Sequence, residues 1–502
     1  MIDGYMTPLT QLAEHAVDMT PEPILAAVDD YRGTMTDLDR GLVVEPHRFA
    51  AGRAALARRM KEAGLAAGER VIVAVGNGPL FIAAWATILE LRGSPLLVHV
   101  ETPPAELKRL AQRFHARFAI TDARDEPELE DVGAAARTLT AAGWVRLAWA
   151  DFGDLAYSAD EPMLPLPGIP LHPTSGTTGE AKMAVRPAAC ALAEVANYVQ
   201  TIGIDDRDIL LALAPMSHAY AHGWCVVTPM VTGADLVTMR RVSPRKVYQA
   251  CIENHITILP SVASMLDTLL FGAGNRLHDP DRVVLTGGAP LSKRTASQFE
   301  RIAGTRVRPL YGTTEAGAIA VARADGPMAV GGYVGPPFDG VSVQIRPLDD
   351  DRSNGDVGLV HVRSASVMAG YLVDERLDTS QLADGWFNTG DLGWIDENGA
   401  LHLRGRRAEV INISGMKVLP REVEEVVGAM AGVVEVKVYP GKTRLGSPYV
   451  KAAAVVEDGV EVDHIRAHCE QHLVYYKRPA RIILMNALPK SPNGKIQSDK
   501  LP

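Results

Sequence analysis

The chain has 502 residues, 47% hydrophobic and 22% charged. At about 100–200 residues per domain, this is two to four domains, or one large domain with a smaller appendage. Either has enough core to exclude disorder as the main state. Lys and Arg number 51 and Asp and Glu 60, a net charge of −9, and no basic run offers the clustered cations that nucleic acid demands.

Four scattered cysteines (Cys190, Cys225, Cys251, Cys469) form no CxxC pair, which argues against a disulfide scaffold or a cysteine zinc site. The start, Met1-Ile2-Asp3-Gly4-Tyr5, has no basic region leading into an apolar run, so no secretory signal is expected. The longest apolar stretch, Leu80 to Leu89, is too short to span a bilayer. A soluble cytoplasmic enzyme, with neither nucleic acid nor membrane as partner, is the expectation.

The N-terminal third alternates strands and helices. The β-branched run Arg70 to Val75 reads as a buried strand, Leu80 to Leu91 as a helix, Ala105 to Phe114 as an amphipathic helix and Arg117 to Ile120 as a strand. This spacing predicts parallel βαβ units with helices on both faces. The middle third repeats the rhythm. Strands are expected at Ile209–Leu213, Asp235–Met239 and Ile256–Leu259, the last stopped by Pro260, with a helix over Pro244–Asn254. Further strands are expected at Arg282–Leu285, ending at Gly287-Gly288, and at Val307–Leu310, ending at Tyr311-Gly312. Ligands of open α/β sheets sit beyond the carboxyl ends of strands, so both glycine-containing ends point at one crevice.

From about Gly331 to Gly405 strands shorten and turn signals multiply: Pro336-Pro337, Asn354-Gly355-Asp356, Asn398-Gly399. A small antiparallel β unit is expected there. About 95 residues follow Arg406, with helices over Pro420–Met430 and Asp463–Leu473 and a strand over Tyr449–Val456, enough for a small α+β domain. Asp122–Ala136 and Gly326–Gly332 read as surface loops.

The segment Thr174-Ser175-Gly176-Thr177-Thr178-Gly179-Glu180-Ala181-Lys182 suits phosphate. Its glycines free the backbone to wrap, hydroxyls and amides donate, and the lysine adds charge. It is not a Walker A loop, because Glu180-Ala181 separates Gly179 from Lys182.

This segment resembles the phosphate loop of the adenylate-forming superfamily: acyl-CoA synthetases, peptide-synthetase adenylation domains and luciferases. Further motifs of that family follow in order. Tyr311-Gly312-Thr313-Thr314-Glu315 resembles its Tyr-Gly-x-Thr-Glu, and Gly385-Trp386-Phe387-Asn388-Thr389-Gly390-Asp391 its Trp-x-x-Thr-Gly-Asp. Arg404-Gly405-Arg406, Ile413-Ser414-Gly415 and Pro420-Arg421-Glu422-Val423-Glu424 resemble its hinge and following helix. Pro489-Lys490-Ser491-Pro492-Asn493-Gly494-Lys495-Ile496 resembles its C-terminal lysine loop. The matches span about two thirds of the chain.

The resemblance implies an α/β fold: a large N-terminal domain of parallel α/β sheets plus a small antiparallel β unit, residues 1–405, followed by a small mobile α+β domain, residues 406–502, with the catalytic lysine. It implies that Thr174, Ser175, Gly176, Thr177, Thr178, Gly179 and Lys182 hold ATP phosphates. Tyr311 would stack on adenine, Gly288-Ala289-Pro290 would line the base, and Gly312 and Thr313 would belong to the same nucleotide site. Thr314 would bind the α-phosphate, and Glu315 would hold Mg²⁺, a hard cation that prefers carboxylate oxygens. Asp391 would accept both ribose hydroxyls, and Arg406 would contact ribose or phosphate. Lys495 would bridge the substrate carboxylate and the α-phosphate, where positioned positive charge lowers the barrier between two anions.

His218, in Pro215-Met216-Ser217-His218-Ala219-Tyr220-Ala221-His222-Gly223-Trp224, would stand at the rim of the acid pocket. Tyr220 and Gly287 would line that pocket with it, and Trp224 is as well suited to core packing. His218 and His222 are four apart, but no HExxH glutamate accompanies them, which speaks against zinc. No Gly-x-Ser-x-Gly elbow exists for an α/β-hydrolase.

Three positions depart from the family pattern. Ala181 stands where proline is usual, Ala408 where the hinge carries Asp or Lys, and Gln497-Ser498 where an arginine commonly follows the lysine. The expected reaction is ATP-dependent: a carboxylic acid, aromatic or cyclic by its pocket residues, forms an acyl-adenylate with release of pyrophosphate. The acyl group then passes to an acceptor, coenzyme A in first place. Val474-Tyr475-Tyr476-Lys477-Arg478-Pro479 suits either contact with its phosphates or a solvated basic turn. The alternatives are an amine, as in coronafacate ligase-like amide synthetases, a carrier-protein thiol, or a silent nucleotide-binding protein.

Overall fold

Short aliphatic and β-branched runs set the strands of this chain, and where such a run lacks polar alternation it lies inside a sheet. The computed structural model describes residues 19–122, 130, 134–153, 164, 166–174, 182–270, 277–327, 332–347, 357–413, 416–442, 448–491 and 495–502. Among them, nine strands build one mixed sheet. Its order is Arg376–Asp378, Gly370–Val373, Lys182–Val185, Leu171–Thr174, Ser94–Leu97, Arg70–Ala74, Phe118–Asp122, Val145–Asp151, Ala135–Ala141.

The centre of this sheet is parallel, as the βαβ spacing predicts. The helix Pro79–Glu90 is buried from Pro79 to Leu89, as a helix apolar all round must be. It shares one core with Val71 and Val73 of this sheet and with Leu210 and Ala212 of the next. The edges differ from expectation. Ala135–Ala141 and Val145–Asp151 form an antiparallel hairpin. Alanines and a half-exposed edge had hidden it. Of the loop expected at Asp122–Ala136, Asp122, Ala135 and Ala136 belong to strands, and 123–129 and 131–133 lie outside the described residues. For Gly326–Gly332 the same holds of 328–331.

Eight described strands form a second sheet, in the order Gly317–Val321, Val307–Thr313, Val283–Gly287, Ile258–Val262, Ile209–Ala212, Asp235–Thr238, Met35–Asp37, Leu42–Val44. It is parallel except at its two outer pairs. Pro260 does not stop its strand but sits inside Ile258–Val262. The neighbour Ile209–Ala212 pairs with that strand only at Ile258, so it has diverged where the proline lacks its N–H. Val307–Thr313 also runs on through Tyr311-Gly312, with a register shift between those two residues against Gly317–Val321.

A third, antiparallel sheet contains Tyr333–Gly335, Leu401–Arg406, Trp386–Ile395, Gly358–Arg363 and Ser342–Arg346, with Leu382–Ala383 beside Trp386–Ile395. This is the small β unit that the turn signals predict. The chain makes one excursion from it: Gly370–Val373 and Arg376–Asp378 extend the first sheet beside Lys182–Val185.

The C-terminal part has the hairpin Ile411–Ile413 with Met416–Val418. Its three-stranded sheet pairs Val433–Lys442 with Pro448–Val456, and the latter with Arg481–Leu484. The helices Pro420–Gly428 and Val462–His472 close a separate core of Val418, Val423, Val427, Val438, Ile465 and Cys469. Two ion pairs tie it to the preceding part, Arg294–Glu457 at 2.8 Å and Arg404–Glu425 at 3.5 Å. Among the described residues, no helix is long and apolar enough to cross a membrane.

Candidate active site

The parallel neighbours Val283–Gly287 and Val307–Thr313 end side by side. Their ends bring Gly287, Gly288, Ala289 and Pro290 to the same side as Tyr311, Gly312 and Thr313. Gly287 is buried, Gly288 and Pro290 are exposed and Ala289 is half-buried. Gly288 has φ +80°, a left-handed conformation that glycine adopts without strain. Thr313 Oγ1 accepts from the Ala316 amide at 3.1 Å, closing a bend that carries Thr314 and Glu315, both half-buried.

Asp391 and Arg406 face each other in register across two antiparallel strands. Arg406 Nε donates to Asp391 Oδ1 at 3.1 Å, and the Tyr311 hydroxyl donates to Oδ2 at 2.6 Å. The Asp391 amide donates to Thr389 Oγ1 at 3.1 Å. Burial raises the Asp391 carboxyl above the usual range, although Arg406 and Tyr311 pull the other way. Burial and the adjacent Asp391 keep the Tyr311 phenol protonated. A carboxylate backed by a cation and a phenol is a rigid acceptor for a ligand's hydroxyls.

Glu315 Oε1 accepts from the Tyr371 hydroxyl at 2.6 Å. The Lys182 ammonium lies 5.0 Å from the centre of the Tyr371 ring, within cation–π range. Thr174 and Lys182 are direct partners across two antiparallel strands, and Ser175, Gly176, Thr177, Thr178 and Gly179 lie outside the described residues.

Lys495 stands in a C-terminal turn. Its carbonyl accepts from Ser491 N at 2.8 Å, and its own N–H donates to Ser491 Oγ at 3.3 Å. The residue as a whole is exposed, while its ammonium is partly desolvated. Desolvation and the nearby Arg406 lower its pKa, while Glu315 and Asp391 act in the opposite sense. The amine is thus near enough to Glu315, Asp391 and Arg406 to feel their charges.

His218 precedes the short helix Ala219–His222. Its ring is 6.2 Å from that of His99. Burial, His99 and Lys495 lower its pKa to about 4, so it is neutral at pH 7. Tyr220 packs on Gly287: a Cβ there would lie 3.1 Å from the ring. Trp224 is fully buried and stacks on Tyr198 at 3.9 Å, so it belongs to the core and not to a pocket wall.

The structure thus brings Gly287, Gly288, Ala289, Pro290, Tyr311, Gly312, Thr313, Thr314, Glu315, Asp391, Arg406 and Lys495 to one crevice, with Thr174 and Lys182 on one flank and His218 and Tyr220 on another. Sequence reasoning missed Tyr371 and His99. Tyr371 sits in no motif, and only the excursion of its strand carries it to Glu315. The residues fit a magnesium ion of one kind. Among the described residues, no three His, Cys, Asp or Glu side chains cluster into a metal cage, and Glu315 offers a single carboxylate. Mg²⁺ is commonly bound by one or two carboxylates together with substrate phosphates and water.

The chain belongs to the AMP-binding enzyme family, whose profile matches residues 48–372; the AMP-binding enzyme C-terminal domain matches residues 422–495. It is accordingly an adenylate-forming ligase, as its motifs predict. It is 30% identical to a 2-succinylbenzoate–CoA ligase of Listeria innocua over 335 residues, 65% of this chain and 68% of that one. With 4-coumarate–CoA ligase 5 of Oryza sativa subsp. japonica the identity is 28% over 469 residues, 88% and 86% of the two chains. Among solved structures, ATP-bound MatB from Rhodopseudomonas palustris aligns with TM-score 0.80 at 23% identity, over 95% of this chain and 97% of that chain. The apo form of MatB aligns over the same shares with TM-score 0.70.

Proposed function

We propose that this chain activates a carboxylic acid with ATP and transfers the acyl group to coenzyme A, in the cytoplasm. The observation that supports the reading is the convergence of Arg406 and Tyr311 on Asp391 beside the bend that carries Glu315, with the Lys495 amine near enough to feel these charges. A crevice with two acids for ribose and metal, and two cations for phosphate and carboxylate, suits the meeting of two anions.

In the first step a carboxylate oxygen of the acid attacks the α-phosphorus of ATP, and the bond to the pyrophosphate oxygen breaks. Asp391 accepts from the ribose hydroxyls, while Tyr311 and the 288–290 backbone hold the base. Thr174, Lys182 and the glycine-rich segment between them grip the outer phosphates. Thr314 donates to the α-phosphate, and Arg406 and Lys495 neutralise its charge as the attacking carboxylate arrives. Mg²⁺, when held by Glu315 and phosphate oxygens, supplies charge neutralisation on the leaving pyrophosphate. In the second step the thiol sulfur attacks the acyl carbon, its proton leaves, and AMP departs.

The chain divides after Gly405 in this reading, into a large domain, 1–405, and a small domain, 406–502, that reorients between the steps. His218, Tyr220 and Gly287 bound the acid site. Neutral imidazole and phenol rings favour an aromatic or cyclic acid over a long acyl chain. Ala408 lies exposed in the helical turn Arg407–Glu409 and gives the hinge no polar side chain, so an amine acceptor is the second reading.

The test is one pooled reaction with ATP, Mg²⁺, a panel of aryl, cyclic and aliphatic acids, CoA and several amines, read by mass spectrometry and pyrophosphate release. Acyl-CoA products are expected. Amides that persist when CoA is omitted would replace CoA by an amine as acceptor. ATP binding without pyrophosphate release for any acid would overturn the ligase reading for this panel.

A further inference from the structure

The helix Ala188–Ile202 reads AACALAEVANYVQTI, and its single acid, Glu194, is 2% exposed. A carboxylate in so apolar a segment is costly unless each oxygen is satisfied. Both oxygens are. Oε2 accepts from Arg186 Nη2 at 2.8 Å, and Oε1 accepts from the Tyr198 hydroxyl and from the Ala318 amide, the latter at 3.2 Å. The third donor belongs to the far side of the bend that carries Thr314 and Glu315.

Gly317, between Glu315 and Ala318, rests directly on this carboxylate. It has φ +69°, and a Cβ there would lie 2.6 Å from Glu194 Cδ. The other side of the bend is tied to the same ion pair. Arg186 Nη2 also donates to the Ser366 carbonyl at 3.2 Å, and Ser366 Oγ donates to the Ala316 carbonyl at 2.7 Å. Two residues on, Met368 N donates to the Glu315 carbonyl at 2.6 Å. The backbone from 315 to 318 is therefore pinned from both sides to elements anchored on Arg186 and Glu194. The side chains of these anchors, Arg186, Glu194 and Ser366, are all buried.

We propose that Glu194, with Arg186, is a positioning residue that fixes the direction of the Glu315 carboxylate and so the strength with which this site takes a divalent cation with ATP. The inference rests on the assignment of Glu315 to Mg²⁺. Groups that orient a metal-bearing carboxylate typically change metal affinity about 10- to 100-fold when altered.

The experiment is calorimetric titration of ATP into the full chain, with no acid present, over a series of Mg²⁺ concentrations, for the native protein and Glu194→Gln. The substitution keeps the side-chain size but removes the charge facing Arg186. The Mg²⁺ concentration that gives half of the metal-dependent gain in ATP affinity should rise about 10- to 100-fold, with ATP affinity in chelator unchanged. An unchanged midpoint, or an equal loss of affinity with and without Mg²⁺, overturns the proposal. So does a native protein whose ATP affinity ignores Mg²⁺. Should Glu194→Gln not fold, Ser366→Ala decides, because it frees the other side of the same bend: a raised midpoint supports the proposal and an unchanged one overturns it. Failure of the ligase reading looks different, since the native protein would bind ATP with Mg²⁺ yet release no pyrophosphate with any acid.

Discussion

Tyr311 and Asp391 stand 80 positions apart in sequence and on different sheets, yet the phenol donates to the carboxylate at 2.6 Å. The bond locks the end of the parallel sheet to the antiparallel one at the floor of the crevice. Burial raises the Asp391 carboxyl, and Tyr311 and Arg406 hold it down. In the proposed reading the ionised form accepts from ribose, so ATP affinity should fall as pH drops through this raised pKa. Tyr311→Phe keeps the ring and removes one of the two restraints, so the same fall should begin at higher pH. Asp391→Asn should weaken ATP about 10- to 100-fold at neutral pH, the worth of a charge-assisted hydrogen bond. ATP titrations across pH check both, and an acid limb in the same place for Tyr311→Phe would refute the coupling.

Lys495→Ala should abolish adenylation and largely spare transfer from a pre-made acyl-adenylate. Equal loss of both half-reactions, with folding intact, would remove the lysine from its assigned step. The amine is pressed below the ordinary lysine range by desolvation and Arg406. In the proposed reading the charged form assists adenylation, so that step should decline as pH rises through the lowered pKa. Arg406→Gln should move the alkaline decline to higher pH, whatever it does to the maximal rate. Pre-steady-state pyrophosphate release against pH reports it.

Two buried histidines, His172 and His222, and the half-buried His218 make the fold itself sensitive to acid. Burial lowers the pKa of His218 to about 4 and of His222 to about 3, and that of His172, which faces His222, Arg186 and His218, falls well below its ordinary value. A lowered folded-state pKa means that the unfolded chain takes up protons first. Stability should then be complete above about pH 6.5 and fall as pH drops toward 4, by about 1.4 kcal/mol per pH unit for each such histidine. Thermal unfolding at pH 7.5 and 5.0 should show a lower midpoint at 5.0. His222→Phe should shrink the difference, and an undiminished difference would clear His222 of any part in it.

Gly287→Val should exclude the bulkier acids first, because even a Cβ at that position comes within 3.1 Å of the Tyr220 ring. The signature is a raised KM for large acids with the KM for ATP unchanged. A uniform rise for every acid, small ones included, would place Tyr220 and Gly287 outside the acid site.

Much of the crevice was legible in the sequence because its residues cluster at strand ends, where glycine and hydroxyl residues interrupt apolar runs. Gly287-Gly288 marks one strand end, and Tyr311-Gly312 falls just short of the adjacent one, which comes at Thr313. Asp391 and Arg406 were legible only through motif resemblance, since nothing local reveals that they pair across a hairpin. Glu194 left a faint signal as the one acid in an apolar helix, but its target, Gly317, is 123 positions away. Tyr371 left none. The expected end of a strand at Pro260 failed because proline is forbidden only where a neighbour needs its N–H, and neighbours are not written locally. The hairpin Ala135–Ala141 with Val145–Asp151 escaped because five alanines dilute its few β-branched residues, Thr138, Thr140 and Val145.

The excursion of Gly370–Val373 and Arg376–Asp378 into the first sheet has a consequence for the modularity of this protein. The antiparallel unit looks like a cassette in sequence, bounded by turns at both ends. Excised at those turns, it would carry away an edge of the neighbouring sheet together with Tyr371. An exchange of this segment between relatives can succeed only if donor and recipient agree on the strand Lys182–Val185 that receives it. The two stretches therefore have to be exchanged together, although the paired residues Val185 and Gly370 are 185 positions apart.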